Sequence, residues 1–75
     1  MKVILSLVDK DCFIQAIHIG CNGNIEEVQI THNAFKAKVY NVPDLDRIMN
    51  LSMSIKINNW ISEKHNTIVE IKTIL

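Results

Sequence analysis

Several things are scarce in this chain, and each scarcity removes a class of function. Arginine occurs once, at Arg47, and eight Lys and Arg residues balance eight Asp and Glu for a net charge of zero. A protein that grips a phosphate backbone usually carries a basic footprint, and the same balance excludes a polyanionic mimic of nucleic acid. Cysteine occurs twice, as Cys12 and Cys21, fewer than a disulfide-stapled secreted domain of this size usually carries. No apolar run is longer than Val3-Ile4-Leu5, far short of the ~20 residues of a membrane span. The first residues show neither a long apolar stretch nor a small-residue cleavage site. These features predict a cytoplasmic protein with free thiols and no membrane partner. No linker, internal repeat or low-complexity tract interrupts the 75 residues, so residues 1–75 read as one small domain.

What is abundant is isoleucine, thirteen residues, joined by six valines against five leucines and three alanines. Branching at Cβ restricts χ1 and suits a pleated, half-buried surface better than a helix. The fold class read from this bias is α+β, mainly β. It comprises an antiparallel four-stranded meander, one short helix at about 43–50 and a C-terminal β-hairpin, closing into a roll or half-open barrel.

Period-two alternation places the strands. Residues 2–8 form the first, with Val3, Leu5 and Leu7 on one face, and Asp9-Lys10-Asp11 is a three-residue loop. Residues 12–21 form the second, with Phe13, Ile17 and Ile19 opposed to Cys12, Ile14, Ala16 and His18. Asn22-Gly23 suits a type I′ hairpin turn. That turn fixes a register in which Ile17 faces Val28, His18 faces Glu27, Ile19 faces Glu26, Gln15 faces Ile30 and Ile14 faces Thr31. A second turn at His32-Asn33 leads into a fourth strand, 34–42. There Phe35, Ala37 and Val39 point to the core while Lys36, Lys38 and Tyr40 point to water. Pro43, Asp44 and Asp46 mark a helix start, with Leu45, Ile48 and Met49 at helical spacing. Residues 51–57 alternate without a fault and read as a fifth strand. Residues 60–66 stay open between loop, bulged strand and a helical turn, and 67–74 read as the last strand.

No constellation reaches a catalytic or cofactor signature. His18 beside Glu27 has the composition of a general base or pH switch, but no nucleophile falls next to it, and a solvated cross-strand pair explains it. Cys12 and Cys21 point to opposite faces in this register, and the three histidines have no zinc-ligand spacing. The i, i+2 carboxylates Asp9/Asp11 and Asp44/Asp46 lack the glycine and distal glutamate of a calcium loop. The expectation is no metal, no cofactor and no enzyme.

Two features point to binding. Lys36, Lys38 and Tyr40 form a stripe of two cations and an aromatic, the composition of a single-strand nucleic-acid platform, although outward lysines also discourage edge pairing. Trp60 is the only tryptophan, a residue type enriched at interface hot spots and also used to plug small cores. In addition Ile4, Val8, Cys12, Ile14 and Ala16 fall opposite the expected core, an apolar surplus that one short helix cannot cover. The favoured reading is a small non-catalytic protein-binding module. It is of the kind phages and mobile elements encode as inhibitors, blocking a larger protein sterically through Ile4, Val8, Ile14, Lys36, Lys38, Tyr40 and Trp60. Pairing of two such apolar faces also predicts a homodimer. The alternatives are a single-strand nucleic-acid-associated protein, and a small-molecule-binding or hydrolytic domain using His18, Glu27 and Cys12.

Overall fold

The computed structural model describes residues 1–74 and shows one open antiparallel sheet of five strands with two α-helices. The strands are β1 (Lys2–Leu7), β2 (Phe13–Ile19), β3 (Ile25–Thr31), β4 (Tyr40–Asn41) and β5 (Val69–Thr73). The helices are α1 (Val42–Ile48) and α2 (Leu51–His65). The mainly-β α+β class is therefore as the isoleucine content predicts, while the order of elements differs in three places.

β1 is the organising strand. One edge pairs with β5 from Val3↔Thr73 to Leu7↔Val69, and the other meets β2 at Ser6↔Phe13 and β4 at Val3↔Tyr40. β1, β2 and β3 form the expected meander, but β4 returns to β1 rather than lengthening it. Residues after β3 cross the end of β2: a His32 ring nitrogen lies 2.9 Å from the Asp11 carbonyl, and the Lys38 N–H donates to the Ile14 carbonyl.

The β2–β3 hairpin keeps the predicted centre, Ile17↔Val28 and His18↔Glu27. Its turn differs in type. Only Gly23 has positive φ, at 81°, and its N–H bonds the Gly20 carbonyl at 2.9 Å. This one left-handed glycine replaces the two positive-φ residues of a type I′ turn. The change shifts Ile19 opposite Ile25 instead of Glu26. A second irregularity lies between Ile14 and Ala16, and pairs Ile14 with Ile30. A bulge adds one residue to one strand and so turns the following side chains over. Ile14 consequently joins the core and is fully buried, which corrects its expected place on a spare second face.

The expected strand 34–42 forms over only two residues. The Thr31 hydroxyl accepts from the Asn33 N–H, and the Asn33 side chain accepts from the Phe35 N–H, starting a 3₁₀ turn over Ala34–Lys36. Such local side-chain bonds offer the backbone an alternative to a ladder. The facing then inverts. Phe35, expected inside, is 99% exposed; Val39 is exposed; Tyr40, expected outside, is buried at 4%. Ala37 is buried, as predicted.

The third correction is the largest. Residues 51–57 are helix, not strand, and the C-terminal hairpin is replaced by α2 followed by β5. Asn50 caps α2 by accepting from the Met53 N–H at 3.0 Å, and Asn66 ends it at φ 54°. The open stretch 60–66 is the helix's last turns and its left-handed cap. α1 lies close to the predicted 43–50, with Asn41 as its cap and Leu45 buried. Leu45, Ile57 and Ile61 pack with Val3, Leu5, Leu7, Cys12, Ile14, Val28 and Tyr40 in one cluster, so both helices cover the same face of the sheet.

Candidate functional site

The residues singled out in the sequence do not converge. Ile4 and Ile14 are buried and Val8 is half-buried, so the predicted apolar second face is not available as drawn. Lys36 and Lys38 are exposed, but Tyr40 turns inward to pair with β1 opposite Val3. The three side chains therefore do not make a stacking stripe. His18 and Glu27 are cross-strand neighbours, both exposed. Among the described residues no three His, Cys, Asp or Glu side chains cluster as metal ligands, and no helix is long and apolar enough to cross a membrane.

Cys12 and Cys21 are both free thiols, the first buried and the second exposed. Burial pushes the Cys12 thiol up; Lys10 opposes this and Asp11 adds to it. A buried thiol that holds its proton is a poor nucleophile. Burial raises the Tyr40 phenol in the same way. Both groups bind their protons more tightly folded than unfolded. The folded state then holds more protons than the unfolded chain, and stability falls as pH rises. Stability contributed by these groups is present well below about pH 8.5, where a free thiol is half-ionised, is lost as pH rises through that range, and falls further beyond ~10, where a free phenol ionises. Chemical denaturation from pH 7 to 11 checks this, and Tyr40→Phe should weaken the alkaline loss. A midpoint flat across that range would contradict the burial of both groups.

Trp60 is half-buried against the core. With Asn24, Ile25, Lys56, Asn59 and Glu63 it lines a groove of about 480 Å³ between the β2–β3 hairpin and α2. Lys64 Nζ sits 5.4 Å from its ring, and the His65 ring is tilted at 6.2 Å. Lys56 Nζ donates to the Gly23 carbonyl at 3.0 Å, tying helix to turn. The tryptophan thus serves the core and shows only part of its ring.

The surface that stands out is one that alternation assigned to the core. Phe35 projects from the 3₁₀ turn almost wholly in solvent. The turn is ordered from both ends: Asn33 caps its start, and the Ala37 N–H closes on the Ala34 carbonyl. Lys36 flanks the ring in sequence, and a groove of about 280 Å³ begins three residues on, lined by Lys38, Val39, Tyr40, Asp44, Arg47 and Ile48. Val39 and Val42 are also exposed. Arg47 and Asp44 approach only to 3.9 Å, both well solvated. The turn carries an apolar knob with Lys36 beside it in sequence, and the groove that follows it in the chain holds the cations Lys38 and Arg47 with Asp44. The spacing Thr31-x-Asn33-x-Phe35 carries the signal for it, since Thr and Asn two residues apart build local turns. Comparison of the chain with protein-family models, with curated proteins and with solved structures finds no match in any of the three.

Proposed function

We propose that this protein is a non-catalytic binding module that docks on a larger protein through the Phe35 turn. The observation that carries the reading is a phenylalanine 99% exposed on a turn capped at both ends. A phenylalanine on a capped turn has only two side-chain torsions to fix on docking and buries roughly 150–250 Å². Nothing in the fold uses it. Left in water it contributes no stability, so its cost is offset only where a partner covers it.

The charges near the knob define the pocket it fits. Lys36 and Lys38, one and three residues along the chain from Phe35 and both exposed, favour an apolar pocket rimmed by carboxylates, which steers encounter and discriminates against basic surfaces. The module acts by occupancy: it covers a working surface of its target, in the manner of the small inhibitors carried by phages and mobile elements, in a cytoplasmic setting.

A photoreactive aromatic amino acid in place of Phe35, expressed in the cell of origin, tests the docking surface. One discrete adduct to a larger protein is the expected result, with none from the same group placed at Leu51, which is 82% exposed on α2. Identical adduct ladders from both positions, or none from either, would remove the Phe35 turn as the contact. Adducts to nucleic acid would favour the nucleic-acid reading instead.

A further inference from the structure

A second surface, independent of the Phe35 turn, is carried by β5. In the β1–β5 ladder the Ile68 carbonyl accepts from the Val8 N–H, and the Ile74 N–H donates to the Lys2 carbonyl, both at 2.9 Å. Even-numbered residues therefore direct their backbone groups to β1. Val69, Ile71 and Thr73 direct theirs to the opposite edge, which pairs with no other strand among the described residues. At Val69 the N–H is taken by the Asn58 side-chain oxygen at 2.8 Å. Ile68, Ile71 and Ile74 are 55%, 52% and 45% exposed along this edge.

We infer that β5 is a self-complementary edge, and that two copies of this chain join antiparallel through it with the two-fold axis at Ile71. The sequence of 68–74, Ile-Val-Glu-Ile-Lys-Thr-Ile, matches its own reverse in chemistry. Centred on Ile71, Ile68 meets Ile74 of the second copy, Val69 meets Thr73, Glu70 meets Lys72, and Ile71 meets itself. Each apolar or β-branched residue meets its like and each charge meets its opposite, and such cross-strand pairs stabilise a sheet. The two neighbouring registers are disfavoured. Moving the axis one residue either way sets Lys72 against Lys72 or Glu70 against Glu70. Within one chain Glu70 and Lys72 lie 3.5 Å apart and both are substantially solvated, so they are free to exchange partners.

The backbone contact is short. Ile71 N–H and C=O of each copy make two bonds across the axis. The Asn58 oxygen stands where a Thr73 carbonyl of the second copy would approach Val69, so the pair thins towards that end. A lysine on an edge strand usually discourages pairing; here Glu70 of the second copy answers it. The result is an isologous, closed, reversible dimer, joined edge to edge rather than face to face.

Charge exchange tests this. The wild-type chain should show concentration-dependent dimerisation in sedimentation equilibrium at low salt. Glu70→Lys alone and Lys72→Glu alone each create like-charge oppositions, and each should weaken the dimer at least tenfold. Mixing the two variants in equal amounts restores both opposite-charge pairs and should recover the association as a heterodimer. Circular dichroism confirms that each variant is folded. A wild-type chain monomeric at millimolar concentration, variants that associate as the wild type does, or a mixture no tighter than its components would overturn the proposal. The wild-type measurement stands even where Glu70→Lys, which removes a 3.3 Å acceptor from the buried Ser6 hydroxyl, lowers stability.

Discussion

Ile57→Ala is expected to unfold much of the protein at room temperature, while Ile55→Ala leaves it folded. Ile57 is fully buried in the cluster that joins α2 to the sheet, and Ile55 is 53% exposed. Truncating a buried isoleucine costs about 2–5 kcal/mol. A core of this size supplies only ~3–5 kcal/mol of net stability. An exposed substitution usually stays within about 0.5 kcal/mol. The contrast separates helix from strand, because residues two apart share a face in a strand and diverge in a helix. Urea denaturation of both variants measures it. Equal losses would mean that 51–57 is extended.

Ile14→Lys is the second large effect, and it decides which face of β2 is inside. With the irregularity after Ile14, the side chain is fully buried opposite Ile30. A lysine there must bury an unpaired charge or expel itself from the core, and either is severe. The variant should be unfolded or insoluble by circular dichroism. Were Ile14 on a free second face, as uninterrupted alternation would have it, the same variant would fold normally and become more soluble.

These two positions also show where the sequence is legible. Asn22-Gly23 reveals a hairpin because few residues accept left-handed φ, and the Ile17/Val28 pairing follows from it. The bulge after Ile14 has no local marker: Gln15 and Ala16 are ordinary strand residues, and the extra residue is fixed by how β2 meets β3. Residues 51–57 mislead for a different reason. Leu51, Met53, Ile55 and Ile57 alternate, but Met53, Ile57 and Ile61 also recur at helical spacing, and the Asn50 cap and Asn66 left-handed end bracket a helix. Tertiary packing chose the longer pattern and left Leu51 and Ile55 in water. Pro43 and Asp44 were plain signals, and α1 follows them.

The proposed binding surface was half legible. Lys36 and Lys38 are exposed as their charge dictates. Phe35 and Tyr40 exchange places, because the Asn33 cap inserts a 3₁₀ turn and breaks the alternation between them. The exposed tyrosine predicted for a nucleic-acid platform is thereby buried, and a phenylalanine stands outside with Lys36 beside it in sequence. If the proposed pocket has acidic walls that meet Lys36 and Lys38, binding should weaken as salt is raised.

The most direct test of this account is the affinity of the captured partner for the wild-type chain and for Phe35→Ala, measured beside the melting temperature of each. Phe35 makes no core contact, so the melting temperature should be unchanged. A hot-spot aromatic is worth about 2 kcal/mol or more, so Kd should rise at least ~30-fold. Equal affinities for the two chains, both fully folded, would contradict the claim that the Phe35 turn is the functional surface.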